Sequence, residues 1–510
     1  MINKKGSIVY SLVIILTILV SACSASASST AVPSDANANV SAPADGQAMP
    51  PEGAPEGMPE GTMPEGTPGA QPPEGAAPVM EEIAAAEASA TIAPTATPDE
   101  ESTDAVSELN INAVLNVAKK TFNKTDEDID STEDDTSAAL ITNEGNLTIG
   151  NIAVTTSGDT SSVNNSARYG QNAALLGEEG SVLRVLYGSV ATSGKGATGV
   201  FATGEETAGT VLEESIETSG DYARGVMVSE AAVMTVTDSD ISTSGYKSPA
   251  IATGSDGGSI TVEGGSATTS GTSSAAVYST DTINLNGTTL SADASSVAAI
   301  EGAGSISMVD VNATSGVSDG GAVQFYPSSS TKVDSGQGSF SMEGGSLAYT
   351  GSNGALFYAA DSEGKIELSD AELSTASGTL IKAVALANDK YSTGGELTLR
   401  AENQTLSGDI VADAASSVTL ELVNGSNLIG AISTSNEGRV VNLTLDESST
   451  WTVTADSYLT KLNDEDGISD TEVSNITGNG FTVYYNKNAN VYLRGRIYEL
   501  SGGGYLKPLN

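Results

Sequence analysis

The chain has 510 residues, with 65 Asp and Glu against 21 Lys and Arg and no histidine, for a formal charge of −44 at pH 7. So acidic a field repels nucleic acid and argues against a nucleic-acid partner. The missing histidine excludes histidine triads and histidine metal sites, and the single cysteine, Cys23, excludes an internal disulfide or a cysteine metal cluster.

The first 23 residues state where the protein works. Lys4 and Lys5 form a short positive region, Ser7 to Val20 is almost wholly apolar, and Val20-Ser21-Ala22 sets small residues before Cys23. This is the anatomy of a secretory signal over residues 1–22, too short and wrongly flanked for a spanning helix. The segment resembles the bacterial lipobox, which implies cleavage before Cys23 and diacylation of its thiol. It implies in turn an extracytoplasmic protein, held in the membrane by acyl chains worth roughly 0.8 kcal/mol per buried CH₂. Losing Lys4 and Lys5 leaves 19 basic against 65 acidic residues, or −46.

Residues 23–103 contain no Lys or Arg and consist largely of Ala, Ser, Pro, Gly and Glu, with a P-E-G unit recurring between Pro50 and Gly75. Such a segment buries too little apolar surface to offset chain entropy, so a disordered tether is expected. Drawn out as polyproline II it would reach at most roughly 250 Å, which lifts the remainder away from the membrane.

Residues 104–139 read as an N-terminal cap followed by an acidic loop, Lys124 to Asp135. The apolar positions of Asp104 to Phe122 suit a strand (Leu109, Ile111, Ala113, Leu115, Val117) or a helix (Val106, Leu109, Ala113, Val117), and the type stays open. Beyond them a Thr-Ser-Gly or close variant recurs with its serine at 157, 193, 219, 244, 270, 315 and 377. A second register agrees, running GVFA at Gly199, GVMV at Gly225, AIAT at Ala250, AVYS at Ala276, AAIE at Ala298, AVQF at Ala322 and ALFY at Ala355. A third short strand falls between these marks, as in TVLEES, MTVTDS, SITVEG, TINLNG, SISMVD and KIELSD. Each cycle of about 25 residues therefore holds three alternating runs separated by Gly, Ser or Asp.

Three short strands per cycle have one natural solution, a coil that turns at three corners and stacks on the next at about 4.8 Å. The expected fold is all-β: a single-stranded right-handed parallel β-helix over 140–470, about a dozen coils and roughly 60 Å long. The narrow interior explains the Val, Ile and Ala excess and the 5% aromatic content. After about residue 395 the strands lengthen around the only tryptophan, Trp451, and 471–510 reads as hairpins capping an edge that would otherwise invite aggregation.

The Thr-Ser-Gly rungs, SPAIATGSDGGSITVEGG, AVYSTDTINLNGTTLSADASSVAAIEG and LTLDESSTWTVTADSYLTKL together resemble bacterial, Clostridia-type cell-surface β-helix proteins, which are adhesin-like and related in architecture to pectin-lyase-like and autotransporter-passenger domains. The likeness spans roughly residues 140 to 500. It implies an adhesive or interaction role and brings no catalytic motif.

A search for chemistry returns little. Lyases of such folds need an Arg or Lys base beside Ca²⁺-binding carboxylates, and Arg168, Arg184, Arg224, Arg400 and Arg439, with Lys195, 247, 332, 365, 382 and 390, show no such recurrence. No catalytic residue and no cofactor is assigned. Calcium is the one metal worth weighing, at Asp126, Asp128 and Asp130 or at Asp464, Asp466 and Asp470 with Gly467, although neither run has the closing Glu of an EF-hand. Stacked Ser and Thr columns could order water, and Tyr246, Tyr278 and Tyr326 could stack on sugars or be partly buried. The expectation is a lipid-anchored surface protein with Cys23 as its lipidation site and an unidentified surface protein or glycan as ligand. A polysaccharide-active or carbohydrate-binding relative is the alternative.

Overall fold

The computed structural model describes residues 109–254, 256–328, 336–386, 392–470 and 472–509. The expected signal peptide (1–22), Cys23, the tether (23–103), residues 104–108, Lys332 and Lys390 lie outside the described residues. Most coils lay down three short strands, and equivalent strands of successive coils pair in parallel. The first face holds 12 strands, from Asn112–Ala118 to Asp409–Ala412, and the second 14, from Thr121–Lys124 to Lys461–Asn463. The third holds 10, from Ile129–Ser131 to Glu372–Thr375. The described residues form the expected parallel β-helix, about 60 Å long at the parallel-strand spacing.

Register is one residue to one residue, so inward side chains form columns. One runs Leu147, Leu183, Gly209, Met234, Ile260, Ile283, Ile306, Phe340, all buried or glycine. Where Gly209 leaves room, the Met234 side chain fills it, since a Cβ there would stand 3.0 Å from its methyl. Between the second and third faces the coils turn through left-handed residues, one at Asn151, Asp238, Gly287, Asp310 and Asn403 and two at Gly264-Gly265 and Gly344-Gly345. That conformation favours Gly, Asn and Asp, which accounts for their recurrence at the strand ends.

The Thr-Ser-Gly repeat has a two-part cause. Its threonine is the last inward residue of a third-face strand, and its hydroxyl donates across the corner to the carbonyl five residues on: Thr192 to Ala197 at 2.6 Å, Thr218 to Ala223 at 3.0 Å, Thr269 to Ser274 at 2.6 Å. Its glycine sits directly on the coil below. A Cβ at Gly194, Gly220, Gly245 or Gly271 would overlap the carbonyl oxygen of the equivalent glycine one coil earlier. The serine between them is solvent-facing at 193, 219, 244 and 270.

The expected boundaries shift at both ends. Asn112–Ala118, read as part of a separate cap, is a strand of the first coil and pairs with Thr136–Thr142. Ile129–Ser131 is a strand inside the expected acidic loop, pairing with Ala153–Thr156, because Ile129 and Ser131 point inward while Asp130 points out. The β-helix thus begins at 112 rather than 140. At the far end 471–510 is not a set of hairpins. Glu472–Thr477 and Thr482–Tyr485 continue the parallel stack; the isolated bridge between Ile468 and Val473 is antiparallel, as is Tyr498–Ser501 with Tyr505–Pro508. That pair closes a fourth sheet of eight strands, with Tyr498–Ser501 beside Glu472–Thr477 and Tyr505–Pro508 beside Thr482–Tyr485, so the two terminal edges satisfy each other.

Between Leu175–Gly177 and Ala355–Ala360 the first face differs from the others in being buried on both sides. Its strands Val200–Thr203, Val226–Ser229 and Ala355–Ala360 are buried at every position, whereas second- and third-face strands alternate. Its outward residues Leu176, Phe201 and Met227 form a second apolar cluster. Part of the cover is α1 (Val163–Tyr169), inserted in the corner before the first-face strand Leu175–Gly177. Ser162 caps its start by accepting from Asn165 N–H at 3.2 Å, and Gly170 ends it at φ 72°, packed near Leu176 and Phe201.

One buried charge marks a corner. Glu214 is 3% exposed and accepts from Gly188 N–H at 2.8 Å, and burial pushes its carboxyl up to about 7 from 4.5. Between those values the folded chain keeps a proton that the unfolded chain has lost. The stabilisation is therefore complete below pH 4.5 and is lost as pH rises through 7. Glu214→Gln is expected to match the parent protein at pH 4.5 and to exceed it by about 2–3 kcal/mol at pH 8, read by denaturant unfolding at both pH values. Equal stability of the two proteins at pH 8 would refute the assignment.

Candidate functional site

Among the described residues a cleft lies beside α1, where the first face turns into the second. Three successive coils contribute the turns Glu178-Glu179-Gly180, Gly204-Glu205-Glu206 and Glu230, and with Leu109, Tyr169 and Thr203 they line a cavity of about 340 Å³. Glu179, Glu206 and Glu230 take left-handed backbone (φ 52°, 65° and 49°), so the corner projects carboxylates outward coil after coil. Arg168, at the end of α1, crosses this column: its guanidinium lies 2.8 Å from Asp256 and 3.6 Å from Glu230, and its carbonyl accepts from Ser229. Thr142 donates to Glu179. Burial, offset by the Thr142 hydroxyl and reinforced by the Glu179 charge, raises the Glu178 carboxyl above its ordinary value. Five glutamates and one tyrosine at a walled edge can accept hydrogen bonds from a polyhydroxylated ligand or hold a cationic one. The sequence contained this column: Glu179, Glu206 and Glu230 are 27 and 24 residues apart, the repeat period itself.

The residues singled out from sequence are dispersed. Arg184 reaches Asn146 at 3.0 Å on the outer side of the second face, and Arg224 is buried with its guanidinium on the Tyr222 carbonyl at 2.7 Å. Asp128 accepts from Ala153 N–H at 2.9 Å, while Asp126 and Asp130 are exposed. Tyr246 is 37% exposed, whereas Tyr278 and Tyr326 are buried and offer no stacking face. Tyr246 packs edge-on to Tyr222 at 5.7 Å, with the Lys247 and Lys195 ammonium groups over the two rings at 5.5 and 5.7 Å. Asp470 pairs with Arg496 at 2.9 Å, away from the buried Asp464. Among the described residues no three His, Cys, Asp or Glu side chains converge on a metal position, and no helix is long and apolar enough to cross a membrane.

No protein-family model, curated protein or solved structure matches the chain. The class it defines by its own geometry is that of parallel β-solenoids, with three faces and an acidic cleft at one corner.

Proposed function

We propose that the protein is a membrane-anchored surface lipoprotein of the bacterial adhesin-like type, in which Cys23 carries the lipid, 23–103 spaces the β-helix from the membrane, and the flank of the helix binds a surface protein or glycan without turning it over. The observation that carries this reading is the regular outer surface of the second face. Register stacks Thr210, Thr235, Thr261, Asn284, Ser307 and Ser341 in one column over six coils, a rigid array suited to many weak contacts that add by multivalency. Cells producing the full chain are expected to incorporate labelled palmitate into it and to keep it in the membrane fraction. Cys23→Ala is expected to abolish both. A membrane-bound, unlabelled Cys23→Ala protein would refute the anchor.

The second reading, a pectin-lyase-like polysaccharide-active or carbohydrate-binding protein, is favoured by the cleft beside α1, which sets Tyr169 among five glutamates. New reducing ends from acidic or neutral polysaccharides, with or without Ca²⁺, would establish it in place of the first. Retention of a polysaccharide without turnover would identify the glycan ligand of the first.

A further inference from the structure

Near the last coils, the turn Asp464-Glu465-Asp466-Gly467 folds under the strand Glu472–Thr477. Asp464 is 0% exposed and Asn475 8% exposed, and they face each other, the Asn475 amide donating to Asp464 Oδ1 at 2.8 Å. Gly467 N–H donates to the same oxygen at 3.2 Å. That leaves Asp464 Oδ2 and Asn475 Oδ1, two buried acceptors of one small cluster, each without a donor. Gly467 is required there, since a Cβ would overlap both Asn475 Oδ1 and Asp464 Oδ1. Two orphaned acceptors, one of them on a buried carboxylate, are costly unless a cation or a hydrogen-bond donor reaches them.

We propose that Asp464 Oδ2 and Asn475 Oδ1 bind a hard divalent cation, Ca²⁺, that fastens the C-terminal closure of the solenoid. Both groups are oxygen donors of the kind Ca²⁺ takes, the Asp466 charge lies beside them, and the D-x-D-G turn brings backbone carbonyls within the same loop. Two side-chain oxygens make a sparse set, so backbone and water must complete it, and the affinity falls in the range of extracellular modules, about 10⁻⁴–10⁻³ M. The other ways to satisfy both acceptors are one shared proton or a buried water that donates to each, and neither would respond to Ca²⁺. Burial first, and the Asp466 charge after it, raise the Asp464 carboxyl above its ordinary value, whereas the Asn475 and Gly467 donors lower it. The neighbouring charges are Glu465 and Asp466, with the Tyr492 hydroxyl donating to the Leu462 carbonyl, and Arg496 is engaged by Asp470. Among the described residues no Lys or Arg pairs with Asp464, and the acidic turn leaves the site two charges richer than a proton would neutralise. These features favour the metal.

Trp451 reports on this region, because its strand pairs Trp451 with Ile476, the neighbour of Asn475. The full chain, melted at pH 7.5 with tryptophan fluorescence as readout, is expected to gain about 2–4 °C in midpoint between EDTA and 10 mM CaCl₂. Asp464→Asn should remove that gain, and Asp470→Asn, which alters only the Arg496 pair, should keep it. Asn475→Asp adds a ligand charge: it should lower the midpoint in EDTA and enlarge the gain in Ca²⁺. An absent gain, or an equal gain in Asp464→Asn, would overturn the proposal, the latter by showing diffuse binding to the acidic surface. A rise on acidification to pH 5 in EDTA, with no response to Ca²⁺ at pH 7.5, would overturn it in favour of the shared proton.

Discussion

Replacing Gly245 with alanine is expected to cost about 3 kcal/mol or more, although it adds a single methyl group. The methyl would occupy the space of the Gly220 carbonyl oxygen, and the atoms behind it are backbone: the Gly220 carbonyl carbon and Asp221 nitrogen. Backbone cannot rotate away as a side chain can, so the corner must spread and the ladder above and below must strain. The Thr243 hydroxyl bond to Ser248 spans the same corner and would be lost or stretched with it. Because a solenoid is stabilised by contacts between neighbouring coils, damage at one rung weakens both its interfaces. Ser244→Ala, one residue away and solvent-facing, is the control and should lie within about 0.5 kcal/mol of the parent. Chemical denaturation of the two variants decides the matter, and a Gly245→Ala protein as stable as the control would show that the corner is soft.

The second large effect is expected at Trp451. Its side chain is fully buried and its indole N–H donates to the Gly430 carbonyl at 2.9 Å. Trp451→Ala opens a cavity among Leu428, Ile476 and their neighbours and should cost about 3–5 kcal/mol, the range for buried aromatic truncation. Trp451→Phe should keep most of the packing and lose the hydrogen bond, at about 1–2 kcal/mol. The site is next to the end of the stack, so loss of order should begin in the C-terminal coils. Limited proteolysis of Trp451→Ala is expected to cut first after about residue 430, and cleavage beginning instead in the central coils would contradict this.

The coil period, the three strands per coil and the aromatic-poor interior were legible because each coil repeats the chemistry of the last. Thr-Ser-Gly spaced 25 or 26 residues apart requires one local geometry used many times. The acidic column at Glu179, Glu206 and Glu230 was missed, although the same counting exposes its spacing, because only its position beside α1 makes it a cleft. Calcium was weighed at the run containing Asp464, yet the spacing suggested Asp470 as a partner. The fold supplies Asn475 instead and gives Asp470 to Arg496.

At the ends, where the repeat fails, sequence pattern lost its hold. Asp104 to Phe122 fitted strand and helix alike, and only the pairing of Asn112–Ala118 with Thr136–Thr142 decided between them. Ile129–Ser131 is too short to show a period among its acidic flanks, and it is a strand because a neighbouring coil offers it a ladder. Arg168 meets Asp256 across 88 positions, and the antiparallel pair closing the stack joins two strands that each run parallel to their other neighbour. Composition and period thus determined the architecture, since every coil must satisfy the same steric and hydrogen-bonding conditions as its neighbours. The first coil, the closure and the pairing of Asp464 with Asn475 were decided by tertiary structure, because each depends on contacts made once and at long range, which no repeat encodes.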